Sequence, residues 1–484
     1  MKTIIRIFVL FLIALNATAQ VPKYEVRAVW LTTLQGLDWP KTTNVARQKQ
    51  DLVNILDQYQ RANINTVLFQ ARVRGTTIYP SAIEPWEPCL TNNPGSSPSY
   101  DPLQFCIDEC HKRGMECHAW IVTIPIGKTN SYGCKLLRQK FPKRIVRIGD
   151  EFYMNPEMPE TGDYIANICR EVTRRYDIDG IHLDYIRYPE TWKFTKTTRT
   201  QARQYITSIV RKIHHAVKTE KPWVKMSCSP VGKFTDLSRY KSGGWNAYNA
   251  VCQDAQGWLR EGLMDELFPM MYFRDNNFFP FLVDWKEHSN GRIIAPGLSI
   301  YMLHPNEKNW GLEVIRREMN VLREEGLGVA FFRSKFLTDN VKGIYTFTQD
   351  FNKVSTLIPP MTWAGKRAPL PATAFSVKRG MTADQLAWSG ARDNSDGNYL
   401  LYNIYASDSY PVDINDARNL LLTRQRETVL TVPHKGKILY YAVTAVDRYG
   451  NESAAVMTKA GSGRQLKPID FRRMILGNPQ KSTK

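Results

Sequence analysis

The stretch that decides the fold is YDIDGIHLDYIRYP, residues 176–189. Side chains on a β-strand alternate between its two faces, so Gly180, His182 and Asp184 share one face. The aliphatic residues between them share the other face, which suits a covering layer of helices. The stretch therefore predicts a strand that is apolar towards helices and polar towards an interior, with a carboxylate near its carboxyl end.

The same kind of segment recurs along the chain from about residue 25 to residue 353. Eight apolar, β-branched or aromatic runs are predicted as strands at 25–33, 64–72, 115–122, 178–186, 224–230, 264–273, 292–300 and 327–335. Each is followed by helical periodicity, at 45–61, 101–113, 161–176, 200–217, 247–261, 278–289, 311–325 and 340–352. A doubly wound open sheet shows the same alternation, but a count of eight favours a closed (β/α)8 barrel. We expect an α/β TIM barrel over residues 20–357.

The amino-terminal segment, residues 1–19, has the pattern of a secretory signal peptide. Lys2 and Arg6 precede an apolar run that is too short to span a bilayer, and Ala17-Thr18-Ala19 provides a small-residue cleavage site. No later segment is apolar enough to predict a transmembrane helix, and no cysteine follows the cleavage site. We expect an exported protein, periplasmic or extracellular, without a lipid anchor.

The pattern changes after a proline-rich linker at residues 358–370. Short alternating strands with Asp, Gly and Asn turns over residues 371–460 predict a small all-β sandwich. The Trp388 strand and the segment from Tyr440 to Ser453 resemble a fibronectin type III module. We expect this sandwich to act as a spacer or partner surface, and residues 461–484 to form a basic tail.

Charge and cysteine content limit the classes of partner. The chain has 65 Lys and Arg against 46 Asp and Glu, a formal net charge of +19. In an exported protein this favours an anionic surface or polymer over nucleic acid, although a merely solvated basic surface has the same composition. The eight cysteines show no CxxC spacing of a zinc or redox site, and both free thiols and disulfides are compatible with their pattern.

Asp184 is the candidate catalytic residue with the most favourable position. The carboxyl ends of barrel strands form the mouth where TIM-barrel enzymes carry out their chemistry. A carboxylate placed there is partly desolvated and needs a partner, for which Arg187 and Arg72 are candidates. Asp184 is alternatively half of an ion pair that holds the loops. Asp179, at the start of the strand, is interpreted as a structural cap.

Motifs over residues 26–333 resemble the glycosyl hydrolase-like family ten domain, formerly a domain of unknown function, of exported bacterial proteins. They are Val26-Arg27-Ala28-Val29-Trp30, Phe69-Gln70-Ala71-Arg72, Tyr79-Pro80-Ser81, His118-Ala119-Trp120, Asn155-Pro156, Asp179 to Tyr185, Tyr188-Pro189 and Pro269-Met270-Met271-Tyr272. The resemblance implies a TIM barrel and glycoside hydrolysis, with bacterial cell-wall glycan among the family's substrates. The chain departs from the family pattern at Thr76, Val122 and Met270, where the family commonly carries polar or acidic groups.

Glycoside hydrolysis normally uses two carboxylates, and the second is less clear from the sequence. Asp275, just after the sixth strand, is our candidate by topology, with Glu190 and Glu84 as alternatives in other mouth loops. Glu266 lies near the base of its strand and is a poor candidate. An N-acetyl group of the substrate could also serve as the nucleophile, and retention and inversion both remain open.

Several residues are predicted to line a sugar-binding cleft. Aromatic rings stack on the apolar faces of sugars, and polar side chains on the same strand faces fix their orientation. The predicted substrate-binding residues are Trp30, Gln70, Arg72, His118, Trp120, His182, Arg187 and Tyr272. Arg72 is expected to hold either Asp184 or an acidic sugar substituent. His118 and His182 with Asp184 could be taken for a metal site, but the spacing is not diagnostic, so no metal or cofactor is predicted.

The sequence therefore predicts an exported glycoside hydrolase that acts on a bacterial polysaccharide, with peptidoglycan glycan strands as one candidate and carboxylate general acid/base catalysis. A catalytically silent carbohydrate-binding or scaffolding barrel is the alternative. A metal-dependent deacetylase is a third hypothesis with less support.

Overall fold

The computed structural model describes residues 21–238, 240, 244–365, 367–392, 399–434 and 439–457. The predicted signal peptide and the basic tail lie outside the described residues, so the expectations about them are not tested.

Eight parallel strand positions form a closed barrel, as the sequence predicts. The strands are β1 Arg27–Leu31, β2 Thr66–Arg72, β3 Glu116–Val122, β4 Gly180–Asp184, β5 Lys225–Cys228, β6 Glu266–Leu267, β7 in two segments Ile293–Ile294 and Gly297–Leu298, and β8 Val329–Phe331. The first segment of β7 pairs with β6 and the second pairs with β8, which in turn pairs with β1. These pairings close the ring, so the open-sheet alternative is wrong.

Helices surround the barrel between successive strands. The longer ones are Val45–Arg61, Pro102–Lys112, Pro159–Arg175, Arg199–Glu220, Phe279–Glu287, Leu312–Glu324 and Ile344–Phe351, and shorter ones are Ala247–Ala250, Ala255–Arg260 and Ser334–Thr338. The carboxylate of Asp101 caps the helix that begins at Pro102 by accepting from the backbone N–H groups of Leu103 and Gln104. This cap is the one expected from the Asp-Pro pair.

The barrel interior is divided between an apolar sector and a polar one. Buried apolar side chains fill it from several strands, among them Ala28, Trp30, Leu68, Trp120, Phe268 and Ala330. The polar sector lies on β3 to β6, where alternate inward positions carry Glu116, His118, His182, Asp184, Lys225, Ser227 and Glu266. All these polar side chains are buried, so each requires a partner inside the barrel.

The long segment after β3 forms a small subdomain at the mouth. Its three short strands, Pro125–Lys128, Ile145–Ile148 and Glu151–Met154, make an antiparallel sheet with the last strand in the centre. The helix Tyr132–Lys140 lies between the first two strands.

The carboxyl-terminal region forms two small antiparallel sheets. One contains Thr373–Lys378, Ala383–Ser389 and Val429–Pro433, and the other contains Leu420–Gln425, Leu401–Ser407, Tyr440–Val446 and Val456–Met457. Trp388, Tyr402, Tyr441 and neighbouring aliphatic residues form a core of their own. The predicted all-β sandwich is therefore present.

The sandwich is docked on the amino-terminal face of the barrel, opposite Asp184. Arg424 enters the base of the barrel, where its guanidinium lies 3.1 Å from Glu116 Oε1 and 2.5 Å from Asp179 Oδ1. Arg448, whose side chain is only 1% exposed, pairs with Asp177 at 2.8 Å and with Asp179 at 3.3 Å. Asp179 is therefore more than the local cap we expected, because it also holds the sandwich on the barrel.

All eight cysteines are free in the structure, and seven of them are buried. Three of them, Cys106, Cys110 and Cys117, place their sulfur atoms within 4.8 Å of one another between the second helix and β3. Among the described residues, no helix has the length and hydropathy that crossing a bilayer requires.

Candidate active site

Asp184 lies at the carboxyl end of β4, inside the barrel mouth, and is 7% exposed. Its Oδ1 accepts hydrogen bonds from the Ser229 hydroxyl and the Tyr185 backbone N–H, both at 2.8 Å. Its Oδ2 accepts from the indole N–H of Trp120 at 3.2 Å. Trp120 therefore contacts the candidate catalytic carboxylate directly, on the barrel wall formed by β3.

The backbone turn after β4 contributes to this arrangement. Tyr185 has a φ of 54°, in the left-handed region that is uncommon for residues other than glycine. In this conformation its N–H donates to the Asp184 carboxylate that precedes it. Unusual backbone conformations of this kind concentrate at functional sites, where the surrounding structure maintains them.

Asp184 has an elevated pKa. Burial raises its pKa above the ordinary aspartate value, while the Ser229 hydroxyl, the nearby Arg187 charge, and the Tyr185 and Trp120 donors oppose that rise. Backbone N–H and indole N–H groups can only donate, so the hydrogen bonds favour the carboxylate over the acid. The site thus holds a partly desolvated carboxylate with neutral donors around it, a combination that suits acid–base or nucleophilic chemistry.

Half-buried aromatic rings form the wall beside Asp184. The Tyr272 ring lies 5.4 Å from that of Phe332 and 5.9 Å from that of Tyr301, between centroids. Burial raises the pKa of Tyr272 well above its usual value, and the charge of Asp184 adds to this rise. Rings arranged in this way can stack against the apolar face of a sugar.

Trp30 is part of the barrel core beneath this wall. It is 2% exposed and contacts Phe268 and Phe332 edge to face, with centroid distances of 5.8 and 5.9 Å. Its indole N–H donates to His182 Nε2 at 3.1 Å. The structure therefore gives Trp30 a packing position and leaves little of its surface for a ligand.

His182 supports the site from below. Because Trp30 can only donate, Nε2 of His182 must be the acceptor, and its Nδ1 then donates to Ser227 Oγ at 3.0 Å. Burial lowers the pKa of His182 well below its usual value, so the ring is neutral. Both nitrogens are occupied by protein partners, which places His182 in a supporting position.

Arg187 lies in the loop that follows β4 and Asp184. It is 5% exposed, lies 4.7 Å from the centroid of the Tyr185 ring, and pairs with Glu190 at 2.8 Å. The Glu190 side chain is 22% exposed. Glu190 is therefore held by Arg187 in the loop that directly follows Asp184.

Asp275 lies away from this cluster. Its side chain is 65% exposed, and its nearest cations, on Arg274 and Arg317, stand 3.8 and 3.6 Å away. Asp275 follows β6 in the chain, as the sequence analysis stated, but the loop directs its side chain to solvent. Its geometry is that of a surface carboxylate, in contrast to Asp184.

Arg72 and Gln70 do not reach Asp184. Arg72 forms a two-pronged ion pair with Glu84, at 2.8 and 2.6 Å, and both side chains are fully buried. The amide oxygen of Gln70 accepts from the Thr32 hydroxyl and from two backbone N–H groups of the loop after β1. The expected Arg72–Asp184 contact is therefore corrected, because Glu84 neutralises the guanidinium.

His118 lies below the mouth, two residues before Trp120 on β3. Its Nε2 is 2.9 Å from Glu116 Oε2, its Nδ1 is 3.9 Å from Glu266 Oε2, and the residue has no exposed surface. A Cβ added at Gly180 would lie 2.6 Å from the ring, so the glycine makes room for it. His118 and His182 do not converge on Asp184, and the expected position of His118 in the cleft wall is corrected.

Sequence reasoning missed three contributors to the site. They are Ser229 on the β5 side, Tyr301 after β7 and Phe332 after β8. Ser227 and Ser229 alternate with apolar residues in the predicted fifth strand, and this pattern could have indicated inward-facing hydroxyls.

The sequence profile of the family described as glycosyl hydrolase-like 10 matches residues 25–209 and 201–301. The matched region covers more than half of the chain, including β1 to β6 and Asp184. The chain belongs to this family. "Glycosyl hydrolase YngK" of Bacillus subtilis (strain 168) is 29% identical over 477 residues, which cover 89% of this chain and 92% of that protein. "Glycosyl hydrolase DigH" of Escherichia coli (strain K12) is 33% identical over 296 residues, covering 53% of this chain and 67% of that protein.

Solved structures of sugar-processing enzymes show a distant likeness to this family member. An α-L-fucosidase isoenzyme from Paenibacillus thiaminolyticus gives a TM-score of 0.45 at 15% identity, covering 67% of this chain and 49% of that one. An α-amylase from Geobacillus thermoleovorans gives 0.41 at 10% identity, covering 91% and 100%.

Proposed function

We propose that the protein is an exported glycoside hydrolase and that Asp184 carries the chemistry. The observation that supports this most directly is the environment of Asp184. It is a buried carboxylate with a raised pKa, held by three neutral donors at the mouth of a barrel of the glycosyl hydrolase-like 10 family. Burying a carboxylate costs free energy that neutral donors offset only in part. Carboxylates with pKa values raised in this way are concentrated at active sites.

The ionised form of Asp184 is the reactive one in this proposal. Its donors favour the anion, so it acts as a base or nucleophile, or stabilises positive charge that develops at the anomeric carbon. Glu190 is the second carboxylate, replacing Asp275 as the candidate. Arg187 orients Glu190 through an ion pair at 2.8 Å, and its charge also opposes the rise that burial causes in the pKa of Asp184.

Peptidoglycan glycan strands are the proposed polymer. The signal-like amino terminus would deliver the protein to the compartment that contains this polymer. The net charge of +19, which becomes +17 when Lys2 and Arg6 are removed with that segment, suits a substrate that bears carboxylates. The tyrosine and phenylalanine rings beside Asp184 provide surfaces on which sugar rings can stack.

The decisive experiment is reducing-end release from glycan strands, with and without stem peptides, beside a panel of other polysaccharides. The mature protein is compared with Asp184→Asn, which keeps the size of the side chain and most of its hydrogen bonds. We expect turnover by the wild type and a loss of about a thousandfold or more in the variant. Equal turnover by both proteins would overturn the role of Asp184.

A catalytically silent carbohydrate-binding barrel is the alternative that the same experiment separates. Binding of glycan by both proteins, without turnover by either, would favour that alternative.

A further inference from the structure

The subdomain after β3 carries a concentration of positive charge that the proposed chemistry does not use. We call residues 125–154 the basic insertion. It contains only two carboxylates, Asp150 and Glu151, against seven cationic residues. The cationic residues are Lys128, Lys135, Arg138, Lys140, Lys143, Arg144 and Arg147. Five of them are exposed and the other two, Arg138 and Arg144, are half-buried.

These cations are not neutralised within the protein. Among the described residues, none of the seven forms an ion pair, and Glu151 pairs instead with Arg74 at 3.3 Å. Salt bridges are otherwise frequent on this protein, so their absence here is a property of the insertion. Unpaired like charges repel each other, and an anionic partner would relieve that repulsion.

Four of the cations are positioned by two phenyl rings. Arg138 and Arg147 lie over the Phe152 ring, with centroid distances of 4.6 and 5.7 Å. In the same way, Lys140 and Arg144 lie over Phe141, at 5.3 and 4.9 Å. A cation–π contact orients a charged group without using its N–H donors. Arg147 donates from Nε to the Gly149 carbonyl oxygen at 2.9 Å and Arg138 Nε is buried, so the exposed N–H groups at the ends of these side chains are the donors available to carboxylate or phosphate oxygens.

The basic insertion is packed tightly against the barrel, which fixes the backbone that carries the cationic side chains. Gly133 packs so closely on Gly75 that a Cβ at Gly133 would lie 2.1 Å from the Gly75 carbonyl oxygen. Leu137 is buried in the barrel core, and the central strand of the insertion hydrogen bonds to Ile124 through the Met154 N–H at 2.9 Å. The cations therefore extend from a part of the structure that is anchored to the barrel.

The insertion also adjoins the candidate active site. The Tyr153 hydroxyl donates to Glu151 at 2.7 Å, and Glu151 in turn pairs with Arg74 from the loop after β2. The insertion begins two residues after Thr123, whose backbone N–H and hydroxyl donate to the Asp184 carbonyl oxygen at 2.9 and 2.8 Å. The insertion is therefore attached at the rim of the mouth.

From these observations we propose that the basic insertion is a binding site for a polyanionic glycan, which it holds through carboxylate or phosphate groups as the chain enters or leaves the barrel mouth. The position beside the mouth favours a glycan over a membrane as the partner. This inference rests on the proposed function for the nature of the polymer, but the binding itself does not require turnover.

Binding to soluble polymers tests the inference independently of catalysis. Polygalacturonate provides repeating carboxylates, a phosphate-bearing teichoic acid provides phosphates, and dextran is the neutral polymer. The test variant is Lys135→Ala/Lys140→Ala/Lys143→Ala, and the control is Lys286→Ala/Lys353→Ala/Lys378→Ala, which removes three exposed lysines from other faces. Each protein is titrated with each polymer at low and at high salt.

We expect the wild type to bind at least one anionic polymer and not dextran, with affinity that falls as salt rises. The test variant should bind about tenfold more weakly at low salt, because exposed charges each contribute modestly to attraction. The control variant should bind as the wild type does. The preferred polymer identifies whether carboxylate or phosphate is recognised.

Three outcomes would overturn the proposal. The test variant would bind as tightly as the wild type, or the control would lose as much affinity as the test variant, or vesicles containing anionic lipid would bind more tightly than any of the polymers. The last result would assign the surface to a membrane. Failure of turnover with binding intact would instead contradict the proposed hydrolase and leave this inference standing.

Discussion

The mouth and the base of the barrel both contain buried carboxylates, but their partners differ in kind. At the mouth, Asp184 is held by a hydroxyl, a backbone N–H and an indole N–H, and burial raises its pKa. At the base, Glu116 faces Lys225 at 2.6 Å and Arg424 at 3.1 Å, and despite burial these two cations lower its pKa to about 2. Asp179 likewise has a pKa well below the ordinary value, because Arg424, His111 and Arg448 together outweigh burial.

The difference shows how one barrel separates stability from chemistry. Carboxylates neutralised by buried cations are fixed in one protonation state and hold two domains together. A carboxylate with only neutral hydrogen-bond donors keeps the freedom to gain a proton or to react. We therefore expect substitutions at the base to change the free energy of unfolding, and substitutions at the mouth to change turnover.

The largest expected difference in turnover is between variants of the two candidates for the second carboxylate, Glu190 and Asp275. Glu190→Gln should reduce turnover by about a hundredfold or more, as is typical when a general acid or base is removed. Asp275→Asn is the matched control and should change turnover less than about twofold, because exposed surface positions rarely matter. Steady-state rates on the same glycan decide between them, and the reverse ranking would restore Asp275 as the candidate.

Removal of a carboxylate at the base should act on folding instead. Asp179→Asn leaves Arg424 without one of its partners and should lower the free energy of unfolding by about 3 kcal/mol. Because the pKa of Asp179 is lowered in the folded state, its contribution is present above the ordinary aspartate pKa and is lost as pH falls through the folded value. Denaturant unfolding at pH 7 and at pH 3 should therefore show a larger difference at pH 7. An unchanged free energy at pH 7 would contradict the docking role.

Glu266, which also lies at the base of the barrel, has a pKa shift of the opposite sign to that of Asp179. Burial raises its pKa to about 7, with His118 and Lys225 opposing this rise and Glu116 and Asp265 adding to it. A raised carboxyl pKa contributes stability below the unfolded value, and this contribution is lost as pH rises through about 7. Glu266→Gln should therefore gain about 1 to 2 kcal/mol relative to the wild type between pH 5 and pH 8. If the free energy of unfolding changed with pH in the same way for both proteins, the raised pKa of Glu266 would be contradicted.

Ser229 should have the smallest effect of the four. Ser229→Ala removes one of the donors that stabilise the Asp184 anion, so the pKa of Asp184 should rise and the acid limb of the pH–rate profile should move to higher pH. Turnover near neutral pH should fall by about tenfold or less. Ser227→Ala, one inward position lower on the same strand, should leave the profile in place. Equal shifts in both variants would point to general loosening of β5.

Much of the fold follows from local sequence patterns. Alternation of side chains identified the eight strands and placed Asp184 at a carboxyl end, since both properties depend on neighbouring residues alone. Helix boundaries were less accurate where the backbone leaves the helical region. The predicted helix 247–261 is two helices, Ala247–Ala250 and Ala255–Arg260, separated by Cys252 with a φ of 57°.

Contacts between distant segments could not be predicted in the same way. The stagger of the barrel strands determines which side chains meet, and a single sequence does not contain this register. For this reason the sequence did not show that Arg72 pairs with Glu84 rather than with Asp184. It also did not identify Ser229 as a hydrogen-bond partner of Asp184. The docking of Arg424 joins residues about 300 positions apart and has no local sequence signal.

The measurement that tests the account most directly compares Asp184→Asn with Asp179→Asn, two isosteric changes at opposite ends of the same strand. Turnover of glycan strands per folded molecule and the free energy of unfolding are measured for each variant at pH 7. We predict that Asp184→Asn abolishes turnover with stability retained, and that Asp179→Asn lowers stability with turnover retained. Full turnover in Asp184→Asn, or lost turnover in a stably folded Asp179→Asn protein, would contradict the account.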